Sequence, residues 1–398
     1  MKKRLTVILA CIVLIASFIC VSAFTLGFGD KGFEIQFNGE DTGYTSVVHN
    51  DKHFVPMRKI FEKLGAQIFY RSSDRQILVL SRDGDIFRHY VGANSIIVNG
   101  EEKVFEDPTI LANDETYMPI DMLSAAFCPD GVTYENRVMN IKKHLFNTDY
   151  HKVIQDVMDV CRNSNFYPER FQRYINLHNS KPSYTIQEVL YRVNLGLDYP
   201  FYENITTIEH PYELLVLVNK YYKLPSGFKQ FNLVNMKKEY TVNDGKEYLL
   251  ESGAYNKFVQ MSNAAKKDGL TLKVISAYRT ESYQAGLYNN KLRSSGKVNA
   301  DNYSARPGHS EHQTGLAVDI NSTSDSFENT AEFRWLQKHA HEYGYIMRYH
   351  KGKEWITGYA YEPWHYRYVG LDAAKIIHEE GITYEEYYAK YVSVNEFK

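Results

Sequence analysis

Two segments of this chain repeat one pattern, which limits what the first third of the sequence can fold into. The segment starting at His53 reads HFVPMRKIFEKLGAQIFYRSSDRQILVL, and the segment starting at Thr116 reads TYMPIDMLSAAFCPDGVTYENRVMNI. Each begins with aromatic, apolar and proline residues, continues at helical spacing, and reaches a tyrosine (Tyr70 or Tyr134) before a short strand. A turn sequence, HND or AND, precedes each segment. We therefore predict a repeat module of hairpin-helix-strand units over residues 31–145.

The repeat resembles the copper amine oxidase N-terminal-like domain, which occurs in exported proteins of Gram-positive bacteria as a stalk or wall-associated module. The resemblance implies a packed structural module that contacts the cell wall. It does not imply copper, because His49, His53 and His89 have no ligand spacing.

The first 23 residues have the pattern of an export segment. MKKR is followed by the apolar run LTVILACIVLIASFICVSA, which ends in small residues at Ala23. The run is close to the roughly 20 residues that span a bilayer. A signal peptide cleaved after Ala23 and an uncleaved membrane anchor over residues 5–23 both remain open. Either one predicts an extracytoplasmic protein, secreted or membrane-anchored, in a Gram-positive cell envelope.

Charge and cysteine content exclude two classes of function. The chain has 46 Lys and Arg against 48 Asp and Glu, a net charge of −2, so no basic excess indicates nucleic-acid binding. Cys11 and Cys20 lie in the apolar run, which leaves Cys128 and Cys161 as a disulfide or as two free thiols. There is no CxxC pair, and therefore no cysteine metal site is predicted.

The rest of the chain divides into two predicted regions. Residues 146–244 show helical spacing and then turns, and we predict a helical linking region there. Residues 245–392 alternate between helices and strands: a helix, a turn at Gly269, a strand over residues 270–278, and a helix from Glu281. This order predicts an α+β domain with a small, mostly antiparallel sheet flanked by helices.

The stretch RPGHSEHQTGLAVDI, residues 306–320, contains the strongest chemical signal. Its apolar residues alternate after Gly315, which predicts a strand with Asp319 on the face opposite Val318. Gly315 permits a tight bend that brings His312 back toward Asp319. His309 is a rival ligand, but its Pro-Gly loop predicts an exposed side chain.

A third ligand is available in EPWHYRYVG, where His365 follows Glu362 by three residues. Catalytic zinc takes three protein ligands and leaves one position for water, and a nearby carboxylate takes the proton of that water. This pattern predicts zinc on His312, Asp319 and His365, with Glu362 as the general base.

The blocks SAYRT, SARPGHSEHQTGLAVDI and EPWHYRYVG resemble the VanY-type zinc D-alanyl-D-alanine carboxypeptidases, from about residue 247 to residue 392. The resemblance implies the same zinc ligands and Glu362 as base and acid. It implies that Arg279 stabilises the oxyanion or the substrate carbonyl. The predicted substrate contacts, from matching positions or from inside the matching blocks, are Gln284, Ser310, Tyr278 and Trp364.

The predicted function is a zinc D,D-carboxypeptidase that removes the terminal D-Ala of peptidoglycan stem peptides. Two alternatives stay open: an L,D-carboxypeptidase acting on tetrapeptide stems, and a non-catalytic protein that binds the cell wall. A serine D,D-carboxypeptidase is excluded because no Lys-Thr-Gly follows the Ser-x-x-Lys sequence at Ser294.

Overall fold

The computed structural model describes residues 32–81, 85–127, 132–141 and 166–392. They belong to two compact units that divide near residue 155. The predicted export segment over residues 1–23 lies outside the described residues, as do Cys128 and Cys161. Within the described ranges, no helix is both long and apolar enough to cross a membrane.

The first unit is rich in strands, which form three sheets. The elements are β1 (Glu34–Phe37), β2 (Glu40–Thr45), β3 (Val47–His49), β4 (Lys52–Pro56), α1 (Met57–Lys63), β5 (Gln67–Arg71), β6 (Gln76–Leu80), β7 (Ile86–Tyr90), β8 (Ser95–Val98), β9 (Glu101–Val104), β10 (Ile110–Ala112), β11 (Glu115–Pro119), α2 (Ile120–Phe127), β12 (Val132–Glu135) and β13 (Val138–Ile141). The strand orders in the three sheets are β12-β13-β1-β2, β10-β11-β4-β3 and β5-β6-β7-β8-β9.

The predicted internal repeat is confirmed, and its two copies pair with each other. Each copy is a hairpin (β3–β4 or β10–β11), then a helix and then a strand. β4 and β11 are antiparallel neighbours, with Val55 opposite Met118 at the centre of the pairing. Both of these side chains are fully buried. The repeat thus builds one sheet from two equivalent hairpins, each of which buries the middle of its aromatic-apolar-proline sequence.

The second unit contains the α+β domain. Its helices and strands are α3 (Phe171–Ser180), α4 (Ile186–Asn194), β14 (Thr206–Thr207), β15 (Tyr222–Lys223), β16 (Leu233–Asn235), β17 (Leu249–Glu251), α5 (Ser252–Lys267), β18 (Val274–Ser276), α6 (Glu281–Tyr303), β19 (Ala317–Ile320), α7 (Ala331–His339), β20 (Tyr345–Tyr349), α8 (Glu354–Thr357), β21 (Glu362–Tyr368), α9 (Leu371–Glu380) and α10 (Tyr384–Tyr387). Short 3-10 helices cover Pro168–Arg170, Lys238–Tyr240, Glu311–Thr314, Asp325–Asn329 and Ala340–Tyr343, and a π-helical turn covers Tyr388–Val392.

A four-stranded antiparallel sheet of order β18-β19-β21-β20 lies at the centre of this unit. Val318 and Ile320 of β19 join the main hydrophobic core, to which α5 contributes Phe258 and Met261. These positions on α5 are three apart and therefore share one face of the helix. The predicted fold, a small antiparallel sheet flanked by helices, is confirmed.

The predicted linking region is described from residue 166 onward, and that part lies in the same compact unit as the residues after 245. It begins with α3 and α4, and Thr185 and Glu188 form a capping box at the start of α4. Residues 201–244 contain short strands, turns and one 3-10 helix. The boundary at residue 245 stays a prediction.

The predicted strand over residues 270–278 is shorter, since β18 covers only Val274–Ser276. The backbone N–H of Tyr278 bonds to the carbonyl of Leu249, and that of Arg279 bonds to the carbonyl of His312. The chain therefore leaves the sheet after Ser276 and is held against the 3-10 turn that contains His312.

Candidate metal centre

The register of the central sheet brings two predicted ligands together. Asp319 of β19 lies directly opposite His365 of β21, and Ser276 of β18 lies opposite Asp319 on the other side. Residues opposite each other in an antiparallel pair have Cβ atoms about 4.5–5.5 Å apart. The His365 Nδ1 atom accordingly lies 3.3 Å from Asp319 Oδ1.

The third predicted ligand comes from the turn that precedes β19. His312 belongs to the 3-10 helix Glu311–Thr314, which ends at Gly315 with a left-handed φ of 69°. The turn returns the His312 side chain to the strand, where its Nε2 atom lies 3.4 Å from Asp319 Oδ1. The predicted bend at Gly315 is confirmed.

Gly315 is also sterically confined, which gives a first prediction. A Cβ at this position would lie 2.8 Å from Leu233 Cδ2 and 3.3 Å from the backbone N of Glu251. We expect Gly315→Ala to lower the free energy of unfolding by about 1–3 kcal/mol, from backbone strain and the clash together. Urea unfolding followed by tryptophan fluorescence measures this, because Trp335, Trp355 and Trp364 all lie in the second unit.

Gly269→Ala is the matched control for the clash. Gly269 has a φ of 78° but no atom within 4 Å of an added Cβ. This variant should lose only the conformational part, about 1 kcal/mol. If both variants lose the same free energy of unfolding, the clash between the added Cβ and Leu233 does not contribute to the loss in Gly315→Ala.

The side chains of His312, Asp319 and His365 bring three possible ligand atoms close together. One atom from each of His312, Asp319 and His365 lies within 4.8 Å of the other two, and all three residues are buried. Among the described residues, no hydrogen-bond donor satisfies the buried Asp319 Oδ1. A buried carboxylate oxygen is costly without a partner. Two imidazoles and a carboxylate are a donor set that zinc accepts, so these residues fit the metal.

Both histidine rings have a second polar contact that sets their orientation. His312 donates Nδ1–H to the carbonyl of Ala277 at 2.7 Å, which leaves Nε2 free as a ligand. His365 has Nδ1 toward Asp319 and Nε2 toward Glu311. Metal-binding histidines generally make such a contact through the other ring nitrogen.

The charge states of His312 and Asp319 suit metal binding, whereas His365 would release a proton when it binds a metal. Burial and the neighbouring Arg279 lower the pKa of His312 to about 4, which keeps that ring neutral. Burial alone would raise the pKa of Asp319, but His312, His365 and Arg279 hold it well below its ordinary value. Burial would lower the pKa of His365, yet its contacts with Asp319 and Glu311 raise it to about 9 in the protein without metal.

Glu362 lies beside this group, as predicted for a base. Its Oε2 atom is 3.6 Å from His365 Nδ1, and its side chain is 13% exposed. Burial raises the pKa of Glu362 to about 7, with a smaller contribution from Asp319. A carboxylate whose pKa is close to neutral can both take and return a proton.

Arg279 contacts one of the three candidate ligands, Asp319, directly. One terminal nitrogen donates to Asp319 Oδ2 at 2.7 Å and to Ser276 Oγ at 2.7 Å. The other terminal nitrogen donates to Gln284 Oε1 at 3.5 Å, and Arg279 is among the residues that line the cavity over the site. Arg279 therefore holds the candidate ligand Asp319 in place, and it also bonds to Ser276, three positions earlier in the chain.

A cavity of about 420 Å³ opens over the site. Of the predicted substrate contacts, Gln284, Ser310 and Trp364 line it, and Tyr278 is not among its lining residues. The amide of Gln284 already donates to Ser304 Oγ and the carbonyl of Ala305. Lining residues that the sequence did not indicate include Glu311, Lys291, Tyr303, Tyr349 and Tyr359.

The expectation that His309 is exposed is wrong. His309 is 5% exposed, its Nδ1 lies 2.8 Å from the carbonyl oxygen of Asn219, and its ring lies edge-on to Tyr202. Both contacts come from residues far away in sequence, which the Pro-Gly loop does not indicate. His309 is not in the group of three ligands.

Two family models match the chain. The D-alanyl-D-alanine carboxypeptidase model, VanY, matches residues 247–371. The copper amine oxidase N-terminal domain model matches residues 36–136.

Three curated relatives match the C-terminal half. YodJ of Bacillus subtilis (strain 168), a carboxypeptidase by name, is 42% identical over 196 residues, which are 47% of this chain and 71% of YodJ. A D-alanyl-D-alanine carboxypeptidase of Enterococcus faecalis is 40% identical over 31% of this chain and 50% of its own length. A D-alanyl-D-alanine carboxypeptidase of Enterococcus faecium is 34% identical over 49% of this chain and 64% of its own length.

Solved structures match the same half of the chain. The LD-carboxypeptidase LdcB is 39% identical, with a TM-score of 0.45, over 47% of this chain and 91% of that one. A VanY D,D-pentapeptidase in complex with Zn(II) is 34% identical, with a TM-score of 0.38, over 44% of this chain and 99% of that one.

Proposed function

We propose a function from one premise, that this chain belongs to the VanY family of D-alanyl-D-alanine carboxypeptidases. The protein is a zinc D,D-carboxypeptidase that hydrolyses the terminal D-Ala from peptidoglycan stem peptides. The observation that carries this proposal is the convergence of His312, Asp319 and His365 on one point beside Glu362, at the base of a cavity. The chain spans half the length of the Enterococcus faecalis relative. The activity is therefore proposed from the geometry of the site as well as from sequence similarity.

Zinc at this point would lower the pKa of a water molecule and polarise the scissile carbonyl. The chain itself handles the proton. Glu362 takes a proton from the attacking water as the new C–O bond forms, and it returns that proton to the nitrogen of D-Ala as the C–N bond breaks. Its pKa of about 7 allows both transfers near neutral pH.

Arg279 supports the same step in two ways. Its bond to Asp319 Oδ2 holds the carboxylate with Oδ1 directed toward the two imidazoles. Its guanidinium also lines the cavity and provides a fixed positive charge where negative charge develops on the carbonyl oxygen. A guanidinium can do both at once because it presents several N–H donors in a rigid plane.

The proposed activity can be tested directly by mass spectrometry of reaction products. Purified protein receives an equimolar mixture of stem pentapeptide and tetrapeptide, with and without a chelator. We expect loss of one Ala from the pentapeptide, abolished by the chelator and restored by added zinc. Cleavage of the tetrapeptide alone would keep the mechanism and assign L,D specificity. No product from protein that contains zinc would contradict the carboxypeptidase assignment.

The location of the protein is also part of the proposal. The basic start and the apolar run of residues 5–23 support an extracytoplasmic enzyme, either secreted or anchored in the membrane. The repeat module would then hold the enzyme at the cell wall. Cell fractionation, with intact-mass analysis of the mature protein, separates cleavage after Ala23 from anchoring, and a cytoplasmic location would contradict both.

A further inference from the structure

Four buried charged residues lie directly behind the metal centre. Glu311 and Glu385 pair with Arg348, and Arg367 also pairs with Glu311. The side chains of Glu311, Arg348 and Arg367 are 0% exposed, and that of Glu385 is 3% exposed. Two positive and two negative charges balance within the cluster. Burying such a cluster rarely improves stability over apolar packing, which favours a role for it other than stability.

Glu311 connects this cluster to the predicted zinc ligand His365. Its Oε1 atom accepts hydrogen bonds from Arg348 at 2.8 Å and from Arg367 at 3.2 Å. Its Oε2 atom lies 3.4 Å from His365 Nε2, the ring nitrogen that faces away from Asp319. The two arginines therefore fix the carboxylate, and the carboxylate contacts the ring.

We propose that Glu311 is a positioning residue for the metal centre: it accepts the Nε2–H of His365 and thereby turns Nδ1 of that ring toward Asp319 and His312. An imidazole can rotate by a half-turn and can carry its proton on either nitrogen. An acceptor at Nε2 selects one ring orientation and one tautomer, the one with a lone pair on Nδ1. His312 is oriented by the backbone carbonyl of Ala277, whereas His365 has a carboxylate, which also makes its ring a stronger donor to the metal.

The local structure explains how adjacent residues can serve different rings. Glu311 and His312 are consecutive in a 3-10 helix, where each residue is rotated by about 120° from the last. The His312 side chain therefore reaches the metal point directly, while the Glu311 side chain approaches from behind His365. Among the described residues, Glu311 is the only carboxylate in contact with His365 Nε2.

The electrostatics keep Glu311 available as an acceptor. Burial alone would raise the pKa of Glu311, but the charges of Arg348 and Arg367 hold it well below its ordinary value. The carboxylate thus stays ionised despite its complete burial. This inference rests on the proposed function only for the identity of the metal.

The test compares zinc affinity and metal geometry in the full-length protein. Chelator competition gives the zinc dissociation constant, and cobalt(II) substitution gives a d–d absorption spectrum that reports the ligand geometry. We expect Glu311→Gln to raise the dissociation constant by about 10-fold, the low end for such residues because the 3.4 Å contact is long, and to change the cobalt spectrum. Glu311→Asp keeps the charge for both arginines but shortens the side chain, so it should weaken zinc binding with a smaller loss of stability.

Glu385→Gln is the matched control. It removes a carboxylate from the same buried cluster and the same arginine, but Glu385 does not contact His365. We expect it to destabilise the fold while the zinc affinity and the cobalt spectrum stay those of the wild type. Equal weakening of zinc binding by Glu385→Gln, or wild-type affinity and spectrum in both Glu311 variants, would overturn the proposal.

Different results would contradict the proposed role of Glu311 and the proposed hydrolysis. A wild-type protein that holds zinc but releases no D-Ala contradicts the proposed function, and the zinc affinities of the variants still decide the role of Glu311. A wild-type protein that binds neither zinc nor cobalt overturns both proposals.

Discussion

Glu362→Gln should remove nearly all hydrolytic activity while the metal stays bound. Glutamine is close in size and fits the same buried place, but its amide cannot take a proton from water. General acid–base groups contribute about 10²–10⁴-fold to rate, and Glu362 is predicted to act in both transfers, so we expect kcat to fall by about that factor. Zinc content should be unchanged, because Glu362 is outside the group of three ligands. The measurements are kcat from released D-Ala and zinc per chain by elemental analysis.

A matched control shows that the loss comes from this one carboxylate. Glu342 is an exposed acid of the same domain, paired with His339. Glu342→Gln should keep kcat within about two-fold, because surface substitutions away from a site have small effects. Full activity in Glu362→Gln would mean that another group carries the proton, and a loss of zinc would mean that Glu362 is a ligand.

Arg348→Met should destabilise the fold strongly, and by more than Gly315→Ala does. Arg348 donates one hydrogen bond to Glu311 and two to Glu385, and its side chain is fully buried. Its removal leaves the buried Glu385 carboxylate beside the neutral amide of Asn219, which lies 3.3 Å away. Removing one member of a buried ion pair typically costs about 3–5 kcal/mol, because an uncompensated charge stays inside. Denaturant unfolding followed by tryptophan fluorescence measures the free energy of unfolding.

Two further variants test this explanation. Arg334 is exposed and lies outside the buried cluster, so Arg334→Met should change the free energy of unfolding by no more than about 0.5 kcal/mol. Adding Glu385→Gln to Arg348→Met removes the charge left without a partner, so the double variant should lose less than the sum of the single losses. Additive losses would show that size and packing, rather than the buried charge, explain the effect.

Local sequence patterns were sufficient for several features. The aromatic-apolar-proline units and their turns predicted two equivalent hairpins, and both were found. The alternation after Gly315 placed Asp319 opposite the apolar face, and Val318 and Ile320 are in the core. The residue types of His312, Asp319, His365 and Glu362 restricted the site to metal-assisted hydrolysis. These features depend on dihedral preferences, on periodicity and on ligand chemistry. All three are determined by residue type and by residues close together in the sequence.

Other features depend on contacts between distant segments. The burial of His309 comes from Asn219 and Tyr202, about 90 to 107 positions earlier in the sequence, so its loop composition led to the wrong expectation. The bond of Arg279 to Asp319 joins positions 40 apart, and no spacing rule indicated that this arginine would orient a ligand. Glu311 carried one local signal, an acid beside a ligand in an otherwise buried block, but its arginine partners lie 37 and 56 positions away.

The sequence by itself thus determined the repeat, the strand that carries Asp319 and the residue types of the candidate ligands. Only the tertiary structure decided that Asp319 faces His365 across the sheet and that Arg279, which also bonds to Ser276, donates to the other carboxylate oxygen. It also placed Glu311 against Nε2 of the His365 ring. The physical reason is strand register. A slip of one residue between β19 and β21 would turn every side chain to the opposite face, and register is set by the burial of the whole sheet rather than by either strand alone.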